Sequence, residues 1–292
     1  TNKEIVDIGH AGTAMRFLTS YFASKEHREV VLTGSERMQN RPIEILVNAL
    51  KDLGATISYE AKEGYPPIRI KGTKITHKKI LINGNVSSQY ISSLLLVASK
   101  LENGLEIELI GKITSVPYIN MTLSLLNQIG IDTDFEENII KVTPAKSIQK
   151  QTIVVESDWS SASYFYSIVA LAKIGSEIKL SAYKHESLQG DSCLADIYTH
   201  FGVNTIFGHD FITLKKVRVT TPTPLELDLK SAPDIAQTIA VTCFAEGIRC
   251  DLKGLHTLKI KETDRLEALK AELKKLGATI SVTNTSLHLE KS

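Results

Sequence analysis

LKDLGATISY (Leu50 to Tyr59) and LKKLGATISV (Leu273 to Val282) are near-copies of one segment, placed far apart in a chain of 292 residues. In each, leucines at helical spacing run into a glycine suited to a left-handed helix C-cap, and β-prone residues follow. Two further segments have the same form: LLNQIGIDTDF (Leu125 to Phe135) and IYTHFGVNTIF (Ile197 to Phe207). The glycines of the four, Gly54, Gly130, Gly202 and Gly277, are spaced by 76, 72 and 75 residues.

A second landmark recurs upstream of each glycine. GTAMRFLTSYFA starts at Gly12, SSQYISSLLLVAS at Ser87, SSASYFYSIVALA at Ser160 and APDIAQTIAVTCFA at Ala232. Each has a small or acidic opening followed by a nearly continuous apolar run, which predicts a buried helix. Strand-like VVLTG, IELIG, IKLSA and CDLKG then lead to the second, amphipathic helix. The repeating unit therefore reads strand, helix, strand, helix, strand, strand, about 75 residues long, in four tandem copies. The fold class is α/β.

Composition narrows the function from outside. Lys and Arg (34) almost balance Asp and Glu (33), so no global positive field advertises nucleic acid. The apolar stretches, such as Ile91 to Ala98, are too short to span a membrane, and no basic-then-apolar leader opens the chain. Cys193, Cys243 and Cys250 are scattered and odd in number, as expected of reduced thiols in a cytoplasmic protein. The Rossmann glycine fingerprint is missing, and Gly111-Lys112 is followed by Ile113 where a P-loop needs Ser or Thr. A dehydrogenase or nucleotide hydrolase is disfavoured.

Polar residues collect at the helix starts. The first helices open with His10 to Thr13, with Ser87, Ser88 and Gln89, with Asp158 to Ser161, and with Pro233 and Asp234. The second helices open with Arg41 and Pro42, Ser115 to Tyr118, Gln189 to Asp191, and Lys261 to Arg265. Helix starts carry unpaired N–H groups and the positive end of the macrodipole, so several aimed together would hold an anion. Ser, Thr and Asp there also serve simply as N-caps, and Asp234 reads first as one. Arg41, Lys261 and Arg265 fit that account less well, because cations are favoured at helix C-termini; an anionic partner resolves the conflict. His10 and the sole tryptophan, Trp159, read as structural.

At these residues the sequence resembles the enolpyruvyl transferase family, in the branch that acts on shikimate 3-phosphate. The matching segments are GHAGTAMRF, LTGSERMQNRPIEILVNAL, YPPIRIKG, NVSSQYISSLL, SVPYINMTLSLL, ESDWSSASYF, SLQGD, APDIAQTIA and KIKETDRLEAL, in family order over essentially the whole chain. The resemblance implies a two-domain inside-out α/β barrel of six βαβαββ units, with the active site in the cleft between domains. Four units are expected here, as residues 1–155 (substrate contacts) and 156–292 (the catalytic side), the segments at both ends being absent. The implied reaction moves enolpyruvyl from phosphoenolpyruvate to the 5-hydroxyl of shikimate 3-phosphate, releasing phosphate and needing no cofactor or metal.

Carried over by position, Gly12, Arg41, Gln89 and Arg265 match contacts to phosphoenolpyruvate. Ser87, Ser88, Gln89 and Ser115 match contacts to shikimate 3-phosphate, with Tyr118 nearby. Asp234 matches the proton acceptor for the attacking hydroxyl, Lys261 a substrate-contacting lysine beside it, and Glu262 a carboxyl that exchanges protons with the donor methylene. His10, Phe17 and Thr257 depart from the family's usual Asn, Pro and Asn. The expected partners are the two small substrates, with no nucleic acid, no membrane and a monomeric chain. Two other readings stay open: a non-catalytic fragment of such an enzyme, and the branch that acts on UDP-N-acetylglucosamine.

Overall fold

The computed structural model describes residues 4–113, 116–145, 147–220, 223–261 and 263–291. They form two compact units, Thr1–Gln151 and Thr152–Ser292. The first sheet of unit 1 is assembled from β1 (Ile5–Asp7), α1 (Gly12–Ala23), β2 (Glu29–Thr33), α2 (Glu36–Gln39), α3 (Glu44–Asp52), β3 (Thr56–Tyr59) and β4 (Ile68–Lys71). Its strand order is β1-β2-β4-β3, with β1 parallel to β2 and the other pairings antiparallel. The second follows from β5 (Lys79–Asn83), α4 (Ser88–Ala98), β6 (Leu105–Ile110), α5 (Val116–Gln128), β7 (Thr133–Glu136) and β8 (Ile139–Val142), in the matching order β5-β6-β8-β7.

Unit 2 contains α6 (Trp159–Ala170), β9 (Glu177–Ser181), α7 (Leu194–Ile197), β10 (Val203–Phe207) and β11 (Phe211–Lys216). They are followed by β12 (Leu225–Asp228), α8 (Ala236–Ala245), β13 (Cys250–Lys253), α9 (Arg265–Lys275), β14 (Ile280–Val282) and β15 (Ser286–Leu289). Its last sheet repeats the order seen in unit 1, β12-β13-β15-β14, with the first pair parallel.

The repeated glycine does what its sequence context predicts. Gly54, Gly130, Gly202 and Gly277 all have positive φ, at 100°, 84°, 72° and 96°. In each case the glycine N–H bonds back three residues and the next N–H bonds back five: Gly54 to Lys51 and Ala55 to Leu50 in the first, Gly277 to Lys274 and Ala278 to Leu273 in the last. This double bond satisfies the orphan carbonyls at the helix end and turns the chain straight into a strand. The β-rich residues after the glycine then pair at once.

Burial follows the two local periods. On β4, Ile68 and Ile70 are fully buried while Arg69 faces out and pairs with Glu60 (2.8 Å) and Glu29 (3.1 Å). Leu46, Val47 and Leu50 of α3, three- and four-residue neighbours on one stripe, are buried in the same core. Each such leucine or isoleucine contributes about 1.5–3 kcal/mol on burial. The inner helices meet through hydroxyls, which let them approach closely: Ser20 and Ser93 join α1 to α4 (2.5 Å), and Ser92 and Thr122 join α4 to α5 (2.7 Å). In unit 2, Ser163 with Thr238 and Ser167 with Thr242 do the same for α6 and α8 (both 2.8 Å).

Three expectations need correction. The third copy lacks its opening strand: residues 151–158 form none, and the third sheet has only β10-β11-β9. The reason is that Glu156 is drawn into the turn after β9, accepting from Trp159 Nε1, Lys184 N and Ser187 Oγ, instead of lying along β9. Its second helix is also short, a 3₁₀ turn at Gly190–Cys193 running into the four residues of α7. In addition, α6 is buried only on the sides facing α8 and the sheet β10-β11-β9, so Tyr164 and Ile168 remain exposed. Trp159 sits in the unit 2 core against Tyr166, Tyr183 and Phe207, and the three cysteines are free thiols. Among the described residues no helix is long and apolar enough to cross a membrane.

Candidate active site

In unit 1 the start of α1 is bare. Ala11 occupies the N-cap position and makes no side-chain cap bond, so the first-turn N–H groups keep their orphan character. Gly12 opens the helix because two arginines lie against it. A methyl group there would fall 2.5 Å from Arg41 Nη1 and 2.6 Å from Arg16 Nη1, closer than real side-chain contacts allow. Both arginines are buried, Arg41 at 8% exposure and Arg16 at 6%. Arg41 reaches this place from the short link between α2 and α3, whereas the sequence put it at the head of the second helix. Pro42 follows it, and two residues on, α3 begins.

Helix α4 supplies the other wall. Gln89 Nε2 donates to Thr13 Oγ1 (3.0 Å), bridging the starts of α4 and α1, and Tyr90 Oη donates to Pro42 O (2.7 Å), pinning the arginine link. Ser87 holds the N-cap position of α4, yet its hydroxyl makes no cap bond. Ser88 is buried beside it. Tyr118 lies half-buried in the first turn of α5, the next helix along the hydroxyl seam. The structure thus gathers Gly12, Arg41 and Gln89, with Ser87 and Ser88 on the same helix start. Ser115 lies outside the described residues.

In unit 2 the second group converges. Asp234 sits in the 3₁₀ turn Pro233–Ile235 that leads into α8. Lys261 Nζ lies 3.3 Å from its Oδ1, and Arg265 Nη1 lies 3.0 Å from the same oxygen. Lys261 ends the 3₁₀ turn His256–Ile260 and Arg265 opens α9. Asp264 caps α9, accepting from Leu266 N and Glu267 N (both 3.2 Å), so the local helix is closed by its own carboxylate. That frees Arg265 to project toward Asp234. Glu262 lies outside the described residues. The Asp234 carboxylate is thus half-buried and oriented by two cations, Lys261 and Arg265.

Reading the sequence missed Arg16 and discounted Thr257, whose hydroxyl is buried in the 3₁₀ turn before Lys261 without a hydrogen-bond partner among the described residues. A signal for Arg16 existed: it stands four residues after Gly12, on the same helical face, in a helix of otherwise apolar and hydroxyl residues. His10 is tied to Ser35 (2.9 Å), and Gln189 is consumed by Trp159 N and Ser157 O, so both are structural. A hollow of about 470 Å³ lined by Thr76, His77, Lys78, Lys79 and Asn103 contains none of these groups. Among the described residues no cluster of His, Cys, Asp and Glu is arranged to hold a metal.

Comparison with known proteins places the chain. A family model described as EPSP synthase (3-phosphoshikimate 1-carboxyvinyltransferase) matches residues 1–292. A 3-phosphoshikimate 1-carboxyvinyltransferase of Bacteroides fragilis is 47% identical over 285 residues, covering 97% of this chain and 68% of that protein. One from Histophilus somni is 39% identical over 279 residues, covering 94% and 63%. The chain therefore spans about two thirds of the length of these relatives. In fold it is similar to the structure of EPSP synthase from Acinetobacter baumannii (TM-score 0.75, 22% identity, 99% of this chain and 65% of that one). The enolpyruvyl transferase NikO from Streptomyces tendae is a more distant fold match (TM-score 0.59, 14% identity, 85% and 58%).

Proposed function

Because the chain belongs to the EPSP synthase (3-phosphoshikimate 1-carboxyvinyltransferase) family, a family of transferases, we propose that it moves the enolpyruvyl group of phosphoenolpyruvate onto the 5-hydroxyl of shikimate 3-phosphate, releasing phosphate in the shikimate route to aromatic amino acids. The observation that carries this reading beyond family membership is the bare start of α1, where a guanidinium rests on a glycine that has no room for a side chain. That is a built anion cradle. Both substrates are multiply charged anions, and a chain of net charge +1 must hold them with locally placed groups.

The roles divide between the units. In unit 1, Gly12 and Arg41 receive phosphoenolpyruvate, Gln89 orients it, and Ser87, Ser88, Ser115 and Tyr118 bind shikimate 3-phosphate. In unit 2, Asp234 takes the proton of the attacking hydroxyl. Lys261 and Arg265, already bonded to its carboxylate, aim it; Lys261 contacts the substrate beside that hydroxyl, and Arg265 contacts phosphoenolpyruvate. Glu262 delivers the proton that the donor methylene must gain as its neighbouring carbon becomes oxocarbenium-like. Each positioned proton transfer is worth about 10²–10⁴ in rate, and holding two substrates in register contributes as much again. On this reading the protein is cytoplasmic and monomeric, and its partners are small molecules.

A phosphate-release assay with both substrates tests the proposal. Turnover is expected. Binding of shikimate 3-phosphate without turnover would make the chain a non-catalytic fragment, and turnover with UDP-N-acetylglucosamine as acceptor would replace the proposed substrate.

A further inference from the structure

The third sheet ends on an open edge. In the other three sheets the counterpart of β9, namely β2, β6 or β13, is flanked on both sides, whereas β9 pairs with β11 alone among the described residues. The bonds Ala182 N to Asp210 O (2.7 Å) and Lys216 N to Ser176 O (2.9 Å) turn the even-numbered residues toward β11. The backbone groups of Glu177, Lys179 and Ser181 therefore point outward. Ile178 and Leu180 are only partly buried, while Ile107 and Leu109, at the same distance from the end of β6, are fully covered. In each complete sheet the residue three before the N-cap of the following helix or turn donates to the last residue of the next strand. These rungs are Ile8 N to Thr33 O (3.0 Å), Gly84 N to Ile110 O (2.8 Å) and Leu229 N to Lys253 O (2.9 Å). The fourth pair would be Val155, three before the Asp158 cap, and Ser181. That acceptor is held instead by Ser157, whose Oγ donates to Ser181 O (3.0 Å) and whose N donates to Ala182 O (2.7 Å). The strand-prone Ile153, Val154 and Val155 lie exposed just before this tie.

We propose that residues 152–155 are a strap that docks as a parallel strand on the outer edge of β9, and that Glu156 is the latch holding it off. In the register of the other copies Val155 N donates to Ser181 O, Ile153 N to Lys179 O, and Ser181 N to Ile153 O. Ile153 then turns inward beside Leu180, as buried Ile82 does beside Leu109. An edge with unpaired backbone groups is a template for a strand, and an exposed apolar strand gains by covering its inward side chains. Against docking stands the Glu156 carboxylate. It accepts from Trp159 Nε1 (3.0 Å), Lys184 N (3.1 Å), Ser187 Oγ (2.9 Å) and Gln189 Nε2 (3.2 Å). The other copies carry Gly9, Asn85 and Lys230 at this place, none of them a carboxylate. Moving Val155 onto Ser181 O displaces Ser157 and draws Glu156 out of its turn. The exchange reaches the start of α6, because Gln189, held by the same carboxylate, also accepts from Trp159 N (2.9 Å).

The test is amide hydrogen exchange, read residue by residue by NMR, on the 292-residue chain. Glu156→Ala removes the latch and should slow exchange at Ile153, Val155 and Ser181 at least tenfold relative to wild type, because these three amides donate only in the docked strand. Adding Ile153→Pro deletes one of the donors and bars the ladder position, so the slowing should vanish. A chain merely loosened by the loss of Glu156 would exchange faster at these sites, which is the opposite sign. Unchanged or faster exchange in Glu156→Ala overturns the strap, and so does slowing that survives Ile153→Pro. If Glu156→Ala does not fold, a disulfide trap with Glu156 intact decides. Thr152→Cys with Lys179→Cys, neighbours in the docked register, should cross-link under a mild oxidant at least tenfold faster than the out-of-register pair Val154→Cys with Glu177→Cys. Equal rates overturn the proposal.

Discussion

Helix α4 opens on Ser87-Ser88-Gln89 and α6 carries Ser160-Ser161-Ala162 in its first turn, yet the two serine-rich starts end up with opposite uses. At α6 the protein closes the start itself. Asp158 accepts from Ser160 N (3.0 Å), Ser160 Oγ donates to buried Asp191, Ser161 Oγ donates to Asp158 (3.0 Å), and Gln189 takes Trp159 N (2.9 Å). At α4 the cap hydroxyl of Ser87 is left out of the helix, and Gln89 turns sideways to Thr13 at another open helix start. A helix N-terminus is a binding site only where the fold withholds its own acceptors. Residue type alone does not distinguish the two cases, since both are Ser-rich. What distinguishes them is a carboxylate bonded to the helix start, present at α6 and, among the described residues, missing at α4.

The largest effect should come from the unit 2 carboxylate. Asp234→Asn keeps the shape and the hydrogen-bonding reach but removes the base, so turnover in the phosphate-release assay should fall about 10²–10⁴-fold with substrate affinity little changed. A collapse of affinity with turnover per complex preserved would make Asp234 a binding residue. In unit 1, Arg41→Ala should raise the Michaelis constant for phosphoenolpyruvate by about 10–100-fold, the value of a charge-assisted contact, whereas an unchanged constant would make this arginine structural. Gly12→Ala should act in the same direction but more weakly, by about tenfold, because the atoms its methyl would strike are the ends of two side chains that can shift.

The two serine-rich starts can be separated directly. Asp158→Ala should cost about 1 kcal/mol in urea unfolding and leave ligand affinity alone, because it removes a cap. Ser87→Ala should do the reverse, leaving stability alone and weakening shikimate 3-phosphate. Equal stability losses in the two variants would erase the contrast between open and closed starts. The smallest effect is a pH-dependent one on the β13–β15 pair. Asp251 has its carboxyl held below the usual range by the hydrogen bond with His288 (2.6 Å), with Arg249 adding to it. A lowered carboxyl value means the stabilisation is present above about pH 4 and disappears as the pH falls through the lowered value. Asp251→Asn should therefore cost about 1 kcal/mol near neutrality, and the gap from wild type should close in acid. A gap that persists at pH 2 would assign the loss to packing.

Local pattern carried most of the fold. The run of apolar residues into Gly54, Gly130, Gly202 and Gly277 fixes a helix end, a positive φ and the next strand within about six residues, all governed by short-range sterics and hydrogen bonds. The missing strand before α6 was not legible, because its loss depends on Glu156 finding Trp159, Lys184 and Ser187 across a turn. The candidate site divides in the same way. Residue types at the helix starts pointed to anions, and Asp234, Lys261 and Arg265 could be named from motif alone. That Lys261 and Arg265 both touch one oxygen of Asp234, that Gln89 meets Thr13, and that Arg16 and Arg41 close over Gly12 are products of packing. Sequence by itself determined where helices begin and what stands at their heads, since propensity and capping act over a few residues. Only the tertiary structure decided which of those heads are answered by the protein's own carboxylates and which remain open, because those partners lie tens of residues away and are selected by how the helices pack.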